Sequence, residues 1–108
     1  MRILNTFAVL ALIVAPRIAF AVELGDLQQG LAYAKQVCAE CHAVEAGDEL
    51  SPNPDAPSFE EVANTPGMNA RALVVWLQTP HPTMPNLMVP PDDTDNVVAY
   101  ITSLRAKK

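Results

Sequence analysis

The sequence predicts an all-α domain in which three main helices are joined by long loops. In three segments, near 24–37, 69–78 and 91–104, apolar residues recur at the spacing of a helix. The stretches between these segments are rich in proline, glycine, serine and asparagine, which favour turns. No segment shows the alternation of apolar and polar residues that is typical of a strand. We therefore expect helix, loop, helix, loop, helix, without internal repeats.

The first 21 residues predict a secretory signal peptide. Arg2 precedes an apolar run from Phe7 to Ala15, and the segment ends in the small-residue pattern Ala19-Phe20-Ala21, with Arg17 as an unusual intrusion. A membrane anchor is the alternative, but the apolar run is shorter than the roughly 20 residues that a spanning helix needs. We expect cleavage after residue 21, export to a bacterial periplasm and no stable membrane insertion of the mature chain.

Residues 22–108 form one predicted domain of 87 residues with an acidic surface. The whole chain has a net charge of −5; the mature domain keeps 5 basic and all 12 acidic residues, a net charge of −7. This balance argues against nucleic acid and anionic membranes as partners. It fits a protein kept in solution by its charge, or one steered towards basic docking patches on partner proteins. We expect a monomer.

The first helix is predicted from about Leu24 to a cysteine motif. Its apolar face comprises Leu27, Gly30, Leu31, Ala34 and Val37. Asp26 lies near the start, where negative charge complements the helix dipole. Glycine weakens a helix, so Gly30 within the apolar face indicates close approach of another backbone or ring.

Residues 38–42 carry the most specific signal in the chain, the pattern C-x-x-C-H. This spacing is typical of covalent haem attachment. Cys38 and Cys41 can form thioether bonds to the two vinyl groups of one haem, and His42 then lies beside the iron as an axial ligand. We therefore expect one haem c. Because attachment needs reduced thiols, an oxidising compartment requires a maturation system that keeps them reduced.

Three other roles of the two cysteines are less well supported by the sequence than haem attachment. A thioredoxin-like redox pair normally accompanies a βαβ pattern, and none surrounds this motif. A zinc site needs four ligands, and the chain has only Cys38, Cys41, His42 and His81 to offer. A disulfide between Cys38 and Cys41 would close a short, strained loop.

Loop and helix alternate after the motif. Turn-forming residues crowd 46–57, and a short helical turn is expected around Phe59, Val62 and Ala63. The second main helix is predicted over 69–78, with Asn69 as its N-cap. Trp76 is expected in the core or against the haem because of its large apolar body.

The sixth ligand of the iron is expected from a proline-rich loop at 79–87. Prolines at 80, 82 and 85 exclude regular helix and stiffen the backbone. Met84 lies among them, and its thioether is a soft, neutral ligand that suits haem iron and raises the reduction potential. Ordinary core packing is the alternative role of Met84. Met88, Met68 and His81 stay open as ligands in its place.

The last helix is predicted to begin at Pro91, a favourable first helical residue. Acidic residues at 92, 93 and 95 start it and basic residues at 105, 107 and 108 close it, which complements the helix dipole. We expect this helix to cross the first one, with Gly30 admitting Tyr100 or Ile101.

These features together resemble a small class I c-type cytochrome over nearly all of the mature domain. The matching segments are 30–37 with the motif that follows, 56–59 (A-P-S-F), Trp76-Leu77 ahead of Met84-Pro85, and 98–101 (V-A-Y-I). The resemblance implies an all-α fold wrapped around one covalently bound haem. It also implies axial ligation by His42 and Met84 and a role in electron transfer.

The resemblance further implies a hydrogen bond from the proximal histidine to a proline carbonyl. Pro57 is the nearest match, with Pro54 and Pro52 as alternatives. Such a bond would fix the imidazole ring and its basicity. The chain departs from the family at Ala34, where an aromatic residue is common; Tyr33 lies one place earlier.

The expected function is that of a soluble electron-transfer protein that carries one electron between periplasmic redox partners, and not that of an enzyme. With both axial positions filled, the iron does not readily bind oxygen or peroxide. The alternative is a haem enzyme or ligand-binding sensor, peroxidase-like or gas-binding, with a labile sixth ligand. Because the domain is small, we expect the haem-free chain to be largely unfolded.

Overall fold

The computed structural model describes residues 11–16, 25–80, 82–84 and 88–106. Within these ranges it contains four helices and no strand, so the all-α prediction is confirmed. In chain order the helices are α1 (Leu27–Val37), α2 (Phe59–Asn64), α3 (Ala70–Gln78) and α4 (Pro91–Ser103). The short turn predicted near Phe59 is the six-residue helix α2.

The described residues bear only in part on the predicted signal peptide. Residues 11–16 are exposed and form no helix, and the rest of 1–21 lies outside the described ranges. No helix in the part of the chain that the structure describes is long and apolar enough to cross a membrane. The cleavage site and the domain boundary therefore stay predictions.

Local capping explains where the helices begin. Asp26, Ser58 and Asn69 precede α1, α2 and α3, and each side chain accepts hydrogen bonds from backbone N–H groups in the first turn of its helix. Such caps satisfy N–H groups that have no partner within the helix. Pro91 begins α4, where its missing N–H costs nothing. The predicted roles of Asn69 and Pro91 are confirmed.

The backbones of α1 and α4 cross in close contact. Gly30 is buried at the crossing, and a Cβ atom there would lie 2.1 Å from the Asn96 carbonyl oxygen and 2.9 Å from Cβ of Tyr100. The predicted close approach at Gly30 is confirmed, with Tyr100 as the nearest side chain. Gly25 makes a second approach, where a Cβ would lie 2.2 Å from a carbonyl oxygen of α4. The sequence alone did not point to Gly25.

The side chain of Asn96 holds the start of α1 against α4. Its Oδ1 accepts a hydrogen bond from the Asp26 N–H at 2.7 Å, and its Nδ2 donates to Oε1 of Gln29 at 3.3 Å. One residue of α4 therefore contacts both the N-cap and the first turn of α1.

The core lies between α1, α4 and the segments that follow the cysteine motif. Its buried members are Ala34, Val44, Phe59, Ala63, Leu73, Val97, Val98, Tyr100 and Ile101. The Tyr100 hydroxyl donates to the Val44 carbonyl at 2.5 Å, which satisfies the polar end of a buried ring. Trp76 is 50% exposed and does not belong to this buried cluster, so the core position is excluded, and its expected position against the haem stays a prediction.

Arg105 departs from its predicted role. It follows the end of α4, whose last turn contains no basic residue. Its guanidinium donates instead to the carbonyl oxygens of Ala63, at 3.2 Å, and Met68. The next N–H, of Ala106, donates to the last residue of α2 at 2.8 Å. These bonds tie the segment after α4 to the α2–α3 connection, while residues 107 and 108 lie outside the described ranges.

Candidate functional site

The cysteine motif forms a tight turn at the end of α1. Cys38 is the C-cap of the helix, and its N–H donates to the Ala34 carbonyl at 2.8 Å. The Cys38 carbonyl accepts from the N–H groups of Cys41 at 3.2 Å and His42 at 2.9 Å. The chain thus winds through one further turn, and this brings both thiols and the imidazole to the same cleft.

This cleft is apolar and has a volume of about 390 Å³. Its size lies within the range of roughly 300–1,000 Å³ that ligand and cofactor sites occupy. Helices α2, α3 and α4 all contribute to its wall. The apolar side chains of that wall include Phe59, Val62, Leu73, Trp76, Leu77 and Ile101.

The cleft brings together the four residues predicted to bind the haem. Cys38, Cys41 and His42 line it from the motif, and Met84 lines it from the proline-rich loop. His42 and Met84 are 42 residues apart in the chain, so their common cleft is a product of the tertiary fold.

The other residues considered as sixth ligand differ in position. Met68 also lines the cleft. Met88 is 73% exposed and is not among the lining residues. His81 lies outside the described residues.

The imidazole of His42 is oriented by the loop that follows the motif. Its Nδ1 lies 2.7 Å from the carbonyl oxygen of Pro57. A carbonyl oxygen can only accept, so Nδ1 carries the proton and donates, and in the neutral imidazole the lone pair is then on Nε2. That tautomer is the one that binds a metal through Nε2. The expected bond to a proline carbonyl is present, and its partner is Pro57 instead of Pro54 or Pro52.

Hydrogen bonds to the motif determine the path of this loop. The Ala43 N–H donates to Oγ of Ser51 at 3.0 Å, and the Asn53 N–H donates to the Cys41 carbonyl at 3.1 Å. The Phe59 N–H donates to the Ala43 carbonyl at 2.8 Å. Both ends of the segment that carries Pro57 are therefore fixed to the residues around His42. The ring of Phe59 packs against the imidazole, with centroids 5.6 Å apart.

Both cysteines are free thiols, and their setting is unlike that of a redox-active pair. Burial raises the pKa of the Cys38 thiol to about 11, so the thiol is protonated at neutral pH. Reactive C-x-x-C pairs have a lowered pKa, often at a helix N-terminus. Cys38 instead caps the C-terminus of α1, where the helix dipole disfavours a thiolate. This environment argues against the thioredoxin-like reading.

The donor set fits a haem better than a bare metal ion. Among the described residues, no group of three or more His, Cys, Asp and Glu side chains could hold a metal ion, and Cys38, Cys41 and His42 are all described. A haem iron needs only axial ligands from the protein, since the porphyrin supplies its other donors. Two free thiols, one oriented imidazole and one thioether on a single apolar cleft meet that requirement.

No protein-family model, curated protein or solved structure matches the chain.

Two acidic residues on the cleft could not be anticipated from the sequence. Glu40 and Asp55 line it, and both are exposed. Glu40 occupies one of the variable positions of the motif, and Asp55 lies in a loop whose path depends on tertiary contacts. The apolar wall had a clearer signal in α3, because Leu73 and Leu77 lie one helical turn apart on one face.

Proposed function

We propose that this protein is a small class I c-type cytochrome, a monohaem electron-transfer protein exported to a bacterial periplasm. The observation that supports the proposal most strongly is the convergence of Cys38, Cys41, His42 and Met84 on one apolar cleft. The hydrogen bond from His42 to Pro57 adds support, because it prepares the imidazole for metal binding in advance.

Each of these residues has a separate task. Cys38 and Cys41 would tether the haem through thioethers, and Nε2 of His42 and the sulfur of Met84 would bind its iron. Pro57 keeps the imidazole ring in place. When bound, the haem supplies an iron centre that exchanges one electron. The apolar wall would surround the haem with groups of low polarity, and such an environment is one of the factors that set a haem potential.

This set of ligands favours electron transfer over catalysis. With an imidazole and a thioether bound to it, the iron would offer a substrate no open coordination position. The protein would then act on other proteins through short-lived contacts, as redox carriers do. Its acidic balance favours basic partners.

The proposal is tested by analysis of the exported, processed protein. We expect a pyridine haemochrome spectrum typical of two thioether bonds and a polypeptide mass that includes one haem and lacks residues 1–21. The Cys38→Ala/Cys41→Ala double variant should release all haem on acid–acetone extraction, and each single variant should retain weaker attachment. A processed chain with only its bare mass would overturn the proposal.

Carbon monoxide separates the carrier from the alternative of a haem enzyme or sensor. The reduced carrier should show a low-spin, six-coordinate spectrum that carbon monoxide leaves unchanged. Rapid binding of carbon monoxide by the unmodified protein would favour the enzyme or sensor instead.

A further inference from the structure

We propose that Ser51 is a positioning residue for the imidazole of His42, because its side chain closes a ring of hydrogen bonds that holds the Pro57 carbonyl against Nδ1. The inference rests on the proposed electron-transfer function and gives Ser51 an influence on the reduction potential. Ser51 is half-buried and is not among the residues that line the cleft, so its influence would pass through His42.

The ring of hydrogen bonds begins and ends at Ala43, the residue after His42. The Ala43 N–H donates to Oγ of Ser51 at 3.0 Å, and the Ala43 carbonyl accepts from the Phe59 N–H at 2.8 Å. Between these two bonds the chain passes through the Pro57 carbonyl, which accepts the Nδ1 proton of His42 at 2.7 Å. Ala43 therefore binds both ends of the segment that orients the imidazole beside it.

Ser51 supplies the one side-chain link in this attachment. Three hydrogen bonds tie residues 51–59 to residues 41 and 43, all of which the structure describes. Two of them are donated by backbone N–H groups, from Asn53 to the Cys41 carbonyl and from Phe59 to the Ala43 carbonyl. The third uses the hydroxyl oxygen of Ser51. A substitution at Ser51 can therefore open the ring at one point and leave both backbone links in place.

The surroundings of Ala43 make its N–H dependent on that hydroxyl. Ala43 is only 3% exposed, and a buried N–H without an acceptor carries the full cost of its lost hydration. Prolines occupy positions 52, 54 and 57, and their fixed φ angles make the segment move largely as one piece. Loss of the hydroxyl favours a rearrangement around Ala43, and that rearrangement should displace the Pro57 carbonyl as well.

Displacement of the Pro57 carbonyl would change the iron's ligand and not only the stability of the fold. A hydrogen bond to the outer N–H of an axial histidine increases electron donation to the metal, and such bonds are one of the means by which proteins set a haem potential. Weaker hydrogen bonding at Nδ1 should therefore favour the reduced iron and raise the potential. A purely structural role of Ser51 would lower stability without this effect.

The first experiment measures hydrogen exchange by NMR in the reduced, haem-loaded protein. In Ser51→Ala, the Ala43 amide and the Nδ1–H of His42 should exchange with solvent at least about tenfold faster than in the unmodified protein. Ser51→Thr keeps the hydroxyl oxygen and should restore slow exchange. The matched control is Ser103→Ala, which removes a serine hydroxyl that donates to the Tyr100 carbonyl at 2.5 Å, away from the cleft.

The second experiment compares the reduction potentials of the same four proteins by spectroelectrochemistry. Ser51→Ala should have a higher potential than the unmodified protein, and both Ser51→Thr and Ser103→Ala should keep the original value. Denaturant unfolding of the four proteins is measured alongside. Both alanine variants can lose stability, but the potential and the exchange of the His42 Nδ1–H should change in Ser51→Ala alone.

Equal potentials and exchange rates in Ser51→Ala and Ser103→Ala would overturn the positioning role and leave electron transfer standing. A Ser51→Thr variant that behaves as Ser51→Ala does would also overturn it. If Ser51→Ala does not accumulate, the unmodified protein decides: the Ala43 amide should exchange as slowly as the Phe59 amide, and rapid exchange would refute the inference. A protein without haem would overturn the proposed function, whereas exchange at Ala43 needs no iron and still tests the link to Ser51.

Discussion

At the scale of single residues, His42 illustrates how one contact prepares a ligand. The carbonyl of Pro57 accepts the Nδ1 proton at 2.7 Å, which determines the tautomer, and the ring of Phe59 restricts rotation. A ligand held in this way loses little entropy when it binds a metal. Met84 lines the same cleft from a segment 42 residues further along the chain.

Replacement of Met84 tests the assignment of the sixth ligand. Met84→Ala should open one axial position, allow carbon monoxide to bind and lower the reduction potential by on the order of 0.1 V, since axial ligands tune haem potentials over about 0.8 V. Spectroelectrochemistry measures both effects. The matched control is Met88→Ala, which alters an exposed residue off the cleft and should change neither. The reverse result would make Met88 the ligand.

The raised pKa of the Tyr100 hydroxyl predicts how the free energy of unfolding depends on pH. Burial, and then the carboxylates of Glu45 and Glu60, raise the pKa of its hydroxyl above the ordinary value of 10.0. The folded protein therefore holds this proton more firmly than the unfolded chain does. The resulting stabilisation is complete below about pH 10 and is lost as the pH rises through the raised pKa.

The Tyr100→Phe variant separates this effect from other alkaline changes. Loss of the bond to the Val44 carbonyl should lower the free energy of unfolding at pH 7 by about 1–3 kcal/mol, because a buried acceptor is left without its donor. The variant should then lose less stability than the unmodified protein between pH 9 and 11. Urea unfolding across this range measures both, and parallel curves for the two proteins would contradict the argument.

At the scale of elements, the crossing of α1 and α4 depends on the absence of side chains at the contact. Gly30 meets a backbone carbonyl and the Cβ of Tyr100, and neither can move without displacing α4. The same crossing positions the motif, since Cys38 is the C-cap of α1.

Gly30→Ala should therefore destabilise the fold despite the better helix propensity of alanine. We expect a loss of about 1–3 kcal/mol, the usual cost of overpacking, towards the upper end because backbone atoms must shift. Gln28→Ala, at an exposed position of the same helix, is the control and should stay within about 0.5 kcal/mol. Thermal and denaturant unfolding of the haem-loaded proteins supply the values. Equal stability of the two variants would contradict this argument, because it would show that α4 can shift to admit the methyl group without loss of stability.

At the scale of the whole molecule, core and cleft share residues. Phe59, Leu73 and Ile101 belong to the buried cluster and also line the cleft. The predicted mature domain of 87 residues is small, so a bound cofactor would enlarge its core.

The haem-free chain should accordingly be largely unfolded. Circular dichroism of the mature chain produced without haem should show much less helix than the haem-loaded protein. Haem-loaded Met84→Ala is the control and should retain its helices, because the thioethers keep the cofactor in place. Full helicity of the haem-free chain would contradict this expectation.

Prediction from sequence succeeded where the determining contacts are local. Asn69 and Pro91 act within one turn of the helices they begin, so their roles could be stated in advance. Arg105 could not be assigned correctly, because its carbonyl partners lie about 40 residues away in the chain. The sequence left two positions for Trp76, in the core or against a haem, because hydrophobicity does not tell whether a side chain avoids water in a core or at a cleft. The structure places it at the cleft.

The sequence by itself determined which ligand and attachment side chains are available and that the architecture is all-α. The spacing of two thiols and an imidazole is a covalent property of residues 38–42, and helix periodicity and capping act over a few residues. Only the tertiary structure decided that Pro57 orients His42, that Met84 lines the cleft while Met88 does not, and that Glu40 and Asp55 also line it. These outcomes depend on contacts between distant segments, and such contacts form only when the core packs as a unit.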